Sequence, residues 1–417
     1  MERQDFFKNT DKNSTGPLQG LLVLEATTTW SGPMAGCILA DLGADVIKVE
    51  LPPGDVTRFA PPLLPDTQLS FAHQTVNRNK RSLALDLRTT QGAQVFLKLA
   101  TRADVVIENF LPGTLESWGI GFSDVEAVRP DCIYLSISGW GQYGELSDRP
   151  GYDPATQAVS GWMSLNGEPE GVAVKAPTFL ADDLAGLHGA VSVLAALRHR
   201  EVSGEGQHID VALLDSLLFQ SNGFLTLGAM NAPLPRMGSE VPVAAPCNTY
   251  RCTNGDVFIA LILDSHWTAL ANLMGREDLV EDEGLASNRG RVARRDDINQ
   301  ALSAWFAEHT VEESVRLAAE SGVAVSPVNT FADAARMPHV IEREMLQEIE
   351  LEDGSVAPIV GPAAKFSRTQ TKVRSAAAKL GAHTNEILSE LGYSPQEIES
   401  FQQQKVIGEG PLQHADS

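Results

Sequence analysis

Cysteine is scarce. Four residues, Cys37, Cys132, Cys247 and Cys252, are scattered through 417 positions, and no two form a C-x-x-C pair. This spacing excludes a disulfide framework and a thiolate metal site, and in a chain of this size it predicts a reduced, cytoplasmic setting. Positive charge is also short: 32 Lys and Arg stand against 54 Asp and Glu, a formal net charge of -22. That balance excludes nucleic acid or an anionic membrane as the main partner, and any anionic ligand must be held by local positive groups. No run reaches the roughly 18 apolar residues of a membrane span. Positions 1–16 are polar and mixed in charge, neither signal peptide nor anchor, so a soluble protein is expected. The usual catalytic signatures are missing too. There is no G-x-S-x-G elbow, no H-E-x-x-H and no Walker A pattern, and the nine histidines are dispersed with none at metal spacing.

What is present is enough for a full core, with 43% hydrophobic residues in a chain too long for one ordinary domain. Leu21–Ala26 reads as a buried strand, Ser31-Gly-Pro33 as a helix start, Met34–Leu42 as the helix and Ala44–Glu50 as the next strand. Strand, helix and strand within thirty residues make a βαβ unit and point to a parallel sheet. Residues 51–68 read as loop, 81–86, 103–110 and 132–138 as further strands, and 90–101 and 115–128 as helices. A strand at 208–213 and a helix through Leu217 follow. The pattern predicts an α/β fold: a large doubly wound, Rossmann-like domain over 17–235, completed by 370–417, with a smaller α/β domain over 236–340. Residues 341–369 are expected as the linker returning to the large domain. In the small domain, strands are expected at 257–263 and 324–329 and helices at 266–274, 296–308 and 311–321. A further strand is expected at 346–351 and a helix at 384–392.

The stretch from Thr178 to Arg198 opens with two adjacent carboxylates, Asp182 and Asp183, and continues as a helix. Leu184, Leu187, Val191, Leu194 and Leu197 recur at three- and four-residue steps, predicting a core-facing stripe. The carboxylates fall where the free N–H groups of a first helical turn favour negative charge. One can cap the helix, which leaves the other available as a nucleophile, a role carboxylates do fill. His188, six residues past Asp182, reads as a packed helix residue rather than a base. Gly139-Trp-Gly-Gln-Tyr-Gly144 spells G-x-G-x-x-G after a strand, but residues 145–150 that follow carry a proline and no apolar period, so no helix end is offered to a dinucleotide. Arg78-Asn-Lys-Arg81 is a basic cluster that fits either a solvated turn or a phosphate site.

These segments together resemble the class III coenzyme A transferases, the family of formyl-CoA transferase and carnitine CoA-transferase. The resemblance runs from Pro17 to about Ile407. It is carried by Pro17-Leu-Gln-Gly20 with Val23-Leu24, Ser31-Gly-Pro33, Ala40–Glu50, Gly54-Asp-Val-Thr-Arg58 and Asn79-Lys-Arg-Ser82. Further on it rests on Glu108-Asn-Phe110 with Pro112-Gly113, Arg149-Pro-Gly-Tyr-Asp153, Asp182 with Gly186, and Gly204–Val211. The family's nucleophilic aspartate stands four residues before a glycine, the place held here by Asp182 with Gly186. The resemblance implies CoA binding by Trp30 and Ser31, by Leu85 to Arg88 (Leu85, Asp86 and Arg88 among them), by Asn109 and Phe110, and by Arg149 to Asp153 with Tyr152. Gly238, in Gly238-Ser-Glu240, stands for the family's glycine-rich substrate loop.

Trp30 replaces a glutamine of the formyl-CoA enzyme, and Leu51 and Ser117 replace two arginines that meet the CoA phosphates there. Arg58, Lys80, Arg81, Arg88 and Arg149 become the phosphate candidates. The implied activity moves CoA from an acyl-CoA to a free carboxylic acid through an aspartyl-CoA thioester, with a helix N-terminus keeping Asp182 ionised. CoA enters as substrate, and no metal or further cofactor is expected. Two alternatives remain. One is the family's α-methylacyl-CoA racemase, although Tyr152 stands where that enzyme uses a histidine base, and a phenol substitutes poorly. The other is a non-catalytic subunit paired with an active paralogue. The resemblance also implies an interlocked homodimer, or a heteromer of paralogues.

Overall fold

Six short strands assemble into one sheet: β1 (Leu22–Ala26), β2 (Asp45–Glu50), β3 (Lys80–Ala84), β4 (Val105–Glu108), β5 (Ile133–Ser138) and β6 (Gln207–Ala212). Their order is β3-β2-β1-β4-β5-β6 and every neighbouring pair is parallel. This is the mixed α/β architecture with a large parallel sheet, and the strands read as continuous apolar runs because both faces are covered. On one face Val23, Val46, Val105, Ile107, Ile133 and Leu135 pack under the helices Ser31–Asp41 and Leu180–Ser203. On the other, Leu24, Ile47, Val106 and Tyr134 pack under Thr90–Ala100 and under two helices near the end of the chain, Thr384–Glu390 and Pro395–Gln403.

The computed structural model describes residues 2–65, 67–261 and 263–408. Met1, Asp66 in the expected 51–68 loop, Ile262 in the expected 257–263 strand and residues 409–417 of the returning tail lie outside them. The chain divides into two units. The larger contains the sheet and combines the chain up to Trp162, Lys175–Ala232 and the chain from Ile341 onward; the smaller combines Met163–Val174 and Pro233–Val340. The smaller unit holds an antiparallel sheet of β7 (Cys247–Arg251), β8 (Asp256–Ala260) and β9 (Val325–Pro327). Trp267, Leu270, Ile298, Leu302 and Phe306 build its core from the helices Asp264–Leu273 and Arg295–Phe306. The returning segment 341–369 is more than a linker, because β10 (Leu346–Glu350) and β11 (Val356–Val360) pair there as an antiparallel hairpin.

Two elements differ from the sequence expectation. The single helix expected over 115–128 is two short ones, Thr114–Ser117 and Phe122–Val128, broken at Gly119 in the left-handed region (φ +71°). The Leu180–Ser203 helix is rotated from the expected stripe, of which Leu184 and Leu197 still meet the core. Its buried side is Ala181, Ala185, Gly186, Gly189, Ala190, Val193, Ala196 and Leu197, whereas Leu187, Val191 and Leu194 are 47%, 56% and 37% exposed. A Cβ on Gly186 would sit 2.8 Å from the Met34 Cβ and 3.0 Å from the Ser31 carbonyl oxygen. The small-residue face is therefore what lets this helix press against the Ser31 helix. By length and composition the helix is apolar enough to cross a bilayer, and its small-residue side is packed as a core helix.

Candidate active site

The sheet order reverses between β1 and β4, the crevice where α/β sheets bind ligands. One residue fastens the loops leaving these two strands. Asn109 donates from Nδ2 to the Thr28 carbonyl oxygen (2.7 Å) and accepts at Oδ1 from the Thr28 N–H (2.8 Å). Beneath the same turn lies a buried ionic cluster. Lys48 Nζ reaches Glu25 Oε1 (3.4 Å), Asp55 Oδ2 (3.0 Å) and the Thr27 carbonyl oxygen (3.1 Å). Lys80 takes the other Glu25 oxygen at 2.7 Å, and Asp55 Oδ1 accepts the Thr29 N–H at 3.2 Å. Thr29 is held at φ +63°, a conformation a β-branched residue adopts only when its surroundings impose it. The strained turn delivers Trp30 and Ser31 to the start of the Ser31–Asp41 helix.

The Leu180–Ser203 helix arrives beside it. Neither adjacent aspartate caps that helix, contrary to the sequence reading. Its N-cap is Phe179, which makes no side-chain cap bond, and Asp182 and Asp183 are the third and fourth helical residues. The capping acceptor comes from a distant residue. Buried Asp153 accepts the Ala181 N–H at Oδ1 (2.7 Å) and the Gln157 side chain at Oδ2 (2.7 Å). Asp183 is held as well, its Oδ1 accepting the Trp30 indole N–H at 2.7 Å, while the Trp30 ring lies 4.9 Å from that of Phe179. Among the described residues, the side chain that hydrogen-bonds Asp182 is the Ser31 hydroxyl.

Burial first, then the charge of Asp153, pushes the Asp182 carboxyl up to about 7, against the Ser31 bond that lowers it. The helix N-terminus favours the ionised form, while desolvation and the like charge of Asp153 pull the other way. Asp183 is also raised by burial, with Trp30 pulling it back.

The expected residues fall into five groups. Trp30, Ser31, Asn109, Asp153 and Asp182 are joined by the bonds just described. Phe110 stands at the β4 loop, its ring 5.4 Å from Trp118 and its N–H on Glu108 Oε2 at 2.9 Å. Glu108 itself is pushed up to about 7 by burial. Asp86 and Arg88 pair with each other through two bonds of 2.8 Å, and Leu85 is fully buried, bridged to Ile407. Arg149 and Tyr152 are exposed. Gly238 belongs to the smaller unit, at φ +61°, with its N–H on the Gly167 carbonyl oxygen at 3.1 Å.

Geometry also sorts the basic candidates. Lys80 is committed to Glu25, Arg58 to Glu50, and Arg81 to Asp45, Glu386 and Glu390. Arg78 is committed to Asp41, so the 78–81 cluster is tied into ion pairs rather than a solvated turn. Arg88 and Arg149 remain at the surface. Sequence reasoning missed Gln157, Glu108 and Asp55 as positioning groups. A buried acid at the end of a β-strand was the available signal for Glu108, and Asp55 lies in the Gly54-Asp-Val-Thr-Arg58 stretch; nothing local marks Gln157.

The chain matches the family model described as CoA-transferase family III over residues 18–384. It is 36% identical over 389 residues to the succinate–glutarate CoA-transferase of Agrobacterium fabrum, covering 91% of this chain and 96% of that one. Its identity to the β subunit of the succinyl-CoA–L-malate CoA-transferase of Chloroflexus aurantiacus is also 36%, over 402 residues, covering 94% and 99%. To the human succinyl-CoA:glutarate CoA-transferase it is 31% over 386 residues, covering 92% and 87%. Among solved structures, a CAIB/BAIF family protein from Brucella suis superposes with a TM-score of 0.81 at 35% identity, covering 90% of this chain and all of that one.

Proposed function

The chain belongs to CoA-transferase family III, and from that membership we propose that it moves CoA from a short dicarboxylic acyl-CoA to a free dicarboxylate with Asp182 as the covalent carrier. The observation that carries the assignment is the division of labour among three acids. Asp153 is held by two donors and Asp183 by the Trp30 indole N–H, whereas among the described residues the side chain at Asp182 is the rotatable Ser31 hydroxyl.

In the first step an Asp182 oxygen bonds to the acyl carbon and the C–S bond breaks, giving a mixed anhydride and CoA thiolate. The thiolate then attacks the aspartyl carbonyl, releasing the donor acid as a carboxylate and leaving an aspartyl-CoA thioester. The acceptor carboxylate repeats the two steps in reverse. A desolvated carboxylate is a strong nucleophile once ionised, and the positive end of the Leu180–Ser203 helix favours the charge that develops beside it. The indole of Trp30 and the phenyl of Phe179 place apolar surface beside the site.

Succinyl-CoA as donor is supported by the relatives, whose names share succinate or succinyl-CoA. For phosphate contact we assign Arg88 and Arg149, with backbone at Leu85 and Asp86. For acceptor recognition we assign Gly238. Assembly is proposed as an interlocked homodimer, with a paralogous partner as the variant suggested by relatives named α and β subunits. The test is incubation with succinyl-CoA and no acceptor, then hydroxylamine. A hydroxamate on Asp182 is expected. Transfer that proceeds with Asp182 never modified would overturn the covalent reading.

A further inference from the structure

Two carboxylates stand side by side at the start of one helix, yet the proposed chemistry can use only one. Both are partly buried, both are raised by burial, and both lie near Asp153. Sequence position alone does not make Asp182 the better nucleophile. The difference between them lies in the donor each meets: the Ser31 hydroxyl at Asp182, and at Asp183 the Trp30 indole N–H, which reaches Oδ1 at 2.7 Å.

We propose that Trp30 selects the reactive aspartate by holding the Asp183 carboxylate against its indole N–H. This inference rests on the aspartyl-CoA reading and deepens it. The geometry suits the task. An indole donates one hydrogen bond and accepts none, so it favours the ionised carboxylate over the protonated or esterified group, whose carbonyl oxygen is a weaker acceptor. Its orientation is fixed from two sides. Phe179, the residue just before the helix, packs on the ring at 4.9 Å. The backbone before it is pinned by the Thr29 N–H bond to Asp55 and by the Asn109 bonds to Thr28. A charge-assisted bond of this kind fixes the Asp183 rotamer and occupies one lone pair of Oδ1. Oδ2 keeps its lone pairs, so the bond restrains Asp183 by fixing its orientation and drawing on its charge, whereas the Ser31 hydroxyl beside Asp182 can rotate away. Trp30 is thus a positioning residue for Asp182, acting through Asp183.

The experiment maps where hydroxylamine traps the aspartyl-CoA thioester, using succinyl-CoA without acceptor and fragment-ion mass spectrometry to separate positions 182 and 183. The wild type should carry the hydroxamate on Asp182 alone. Trp30→Phe keeps the ring and removes the donor. It should spread the label over both aspartates and lower kcat by roughly tenfold with KM for succinyl-CoA nearly unchanged, the pattern of misdirected chemistry rather than lost binding. In Asp182→Asn, with Trp30 intact, Asp183 should stay unlabelled; Asp182→Asn with Trp30→Phe should gain a label there. A merely structural role for Trp30 would change neither site of labelling.

Label confined to Asp182 in a folded Trp30→Phe with wild-type kcat overturns the inference and leaves the parent reading standing. Label on Asp183 in Asp182→Asn alone does the same, and it needs no change at Trp30. No label on either aspartate in the wild type, with transfer still running, removes the parent reading and this inference together.

Discussion

Asp182 is a carboxylic acid made unusually weak by its surroundings, and this has two consequences of opposite sign. The nucleophile must be ionised, so kcat/KM, which reports the free enzyme, should rise as pH increases through about 7. Asp153 and Asp183 are the charged neighbours that set this value after burial, and Asp182→Asn should be inactive at every pH, down by at least about a thousandfold. Asp183→Asn keeps an acceptor for Trp30 and should retain activity within about tenfold of the wild type.

Stability should move the other way. The Asp182 carboxyl titrates near the ordinary aspartate value of 3.8 when unfolded and at about 7 when folded, so the native state holds its proton more tightly. The stabilisation is complete below about 4 and is lost as pH rises through about 7. Thermal melting at pH 5 and pH 8 checks this: wild type should fall between the two, and Asp182→Asn, which cannot ionise, should fall less. An equal drop in both proteins would mean that other groups set the pH dependence.

At the scale of elements, the N-terminus of the Leu180–Ser203 helix is completed by a residue almost thirty positions upstream. Replacing Asp153 by Ala strands the Ala181 N–H and the Gln157 amide in a buried place. Unsatisfied buried donors cost about 1–3 kcal/mol each, so a loss of roughly 2–4 kcal/mol is expected by denaturant unfolding. Activity should fall with it, because the first turn that carries Asp182 loses its anchor. Thr29→Gly separates strain from function. Relief of the φ +63° conformation should stabilise the chain by up to about 1 kcal/mol, while kcat falls as Trp30 gains freedom.

This scale also explains what was legible beforehand. The parallel strands could be read within a residue or two, because burial on both faces leaves apolar runs such as Val105-Val-Ile107 with little ambiguity. The helix over 180–203 was legible as a helix but not in its orientation. Hydrophobicity places Leu187, Val191 and Leu194 inside, whereas close packing against the Ser31 helix demands Ala and Gly there. The site was legible only through motif order. Asp182 is marked by its distance from Gly186, but the acids that tune and support it, Asp153 and Asp55, act through folds of the chain that local spacing does not encode.

For the whole molecule, the leucine-bearing side of that helix needs a cover. A second copy of the chain supplies one in the interlocked dimer proposed above. Val191→Glu, a charge placed at the middle of the exposed stripe, should abolish or sharply reduce dimer, read by light scattering. For the unmodified protein, no folded monomer should be found from nanomolar to micromolar concentration, since an interlocked pair cannot separate without unfolding.

The last helices of the described chain carry a consequence for how the protein is made. Ile387, Leu388, Ile398 and Ile407 share a core with Leu83, Leu85 and Val106, and Ile407 bridges to Leu85. A ribosome adding about 5–20 residues per second needs roughly 16–64 s to travel from position 85 to position 407. Through that interval the sheet emerges with one side bare, while the intervening 233–340 segment already has its own core to condense. Nascent chains should therefore draw holdase chaperones until the end of translation, and a stop codon introduced at position 380 should yield insoluble protein even though every residue assigned to chemistry is present.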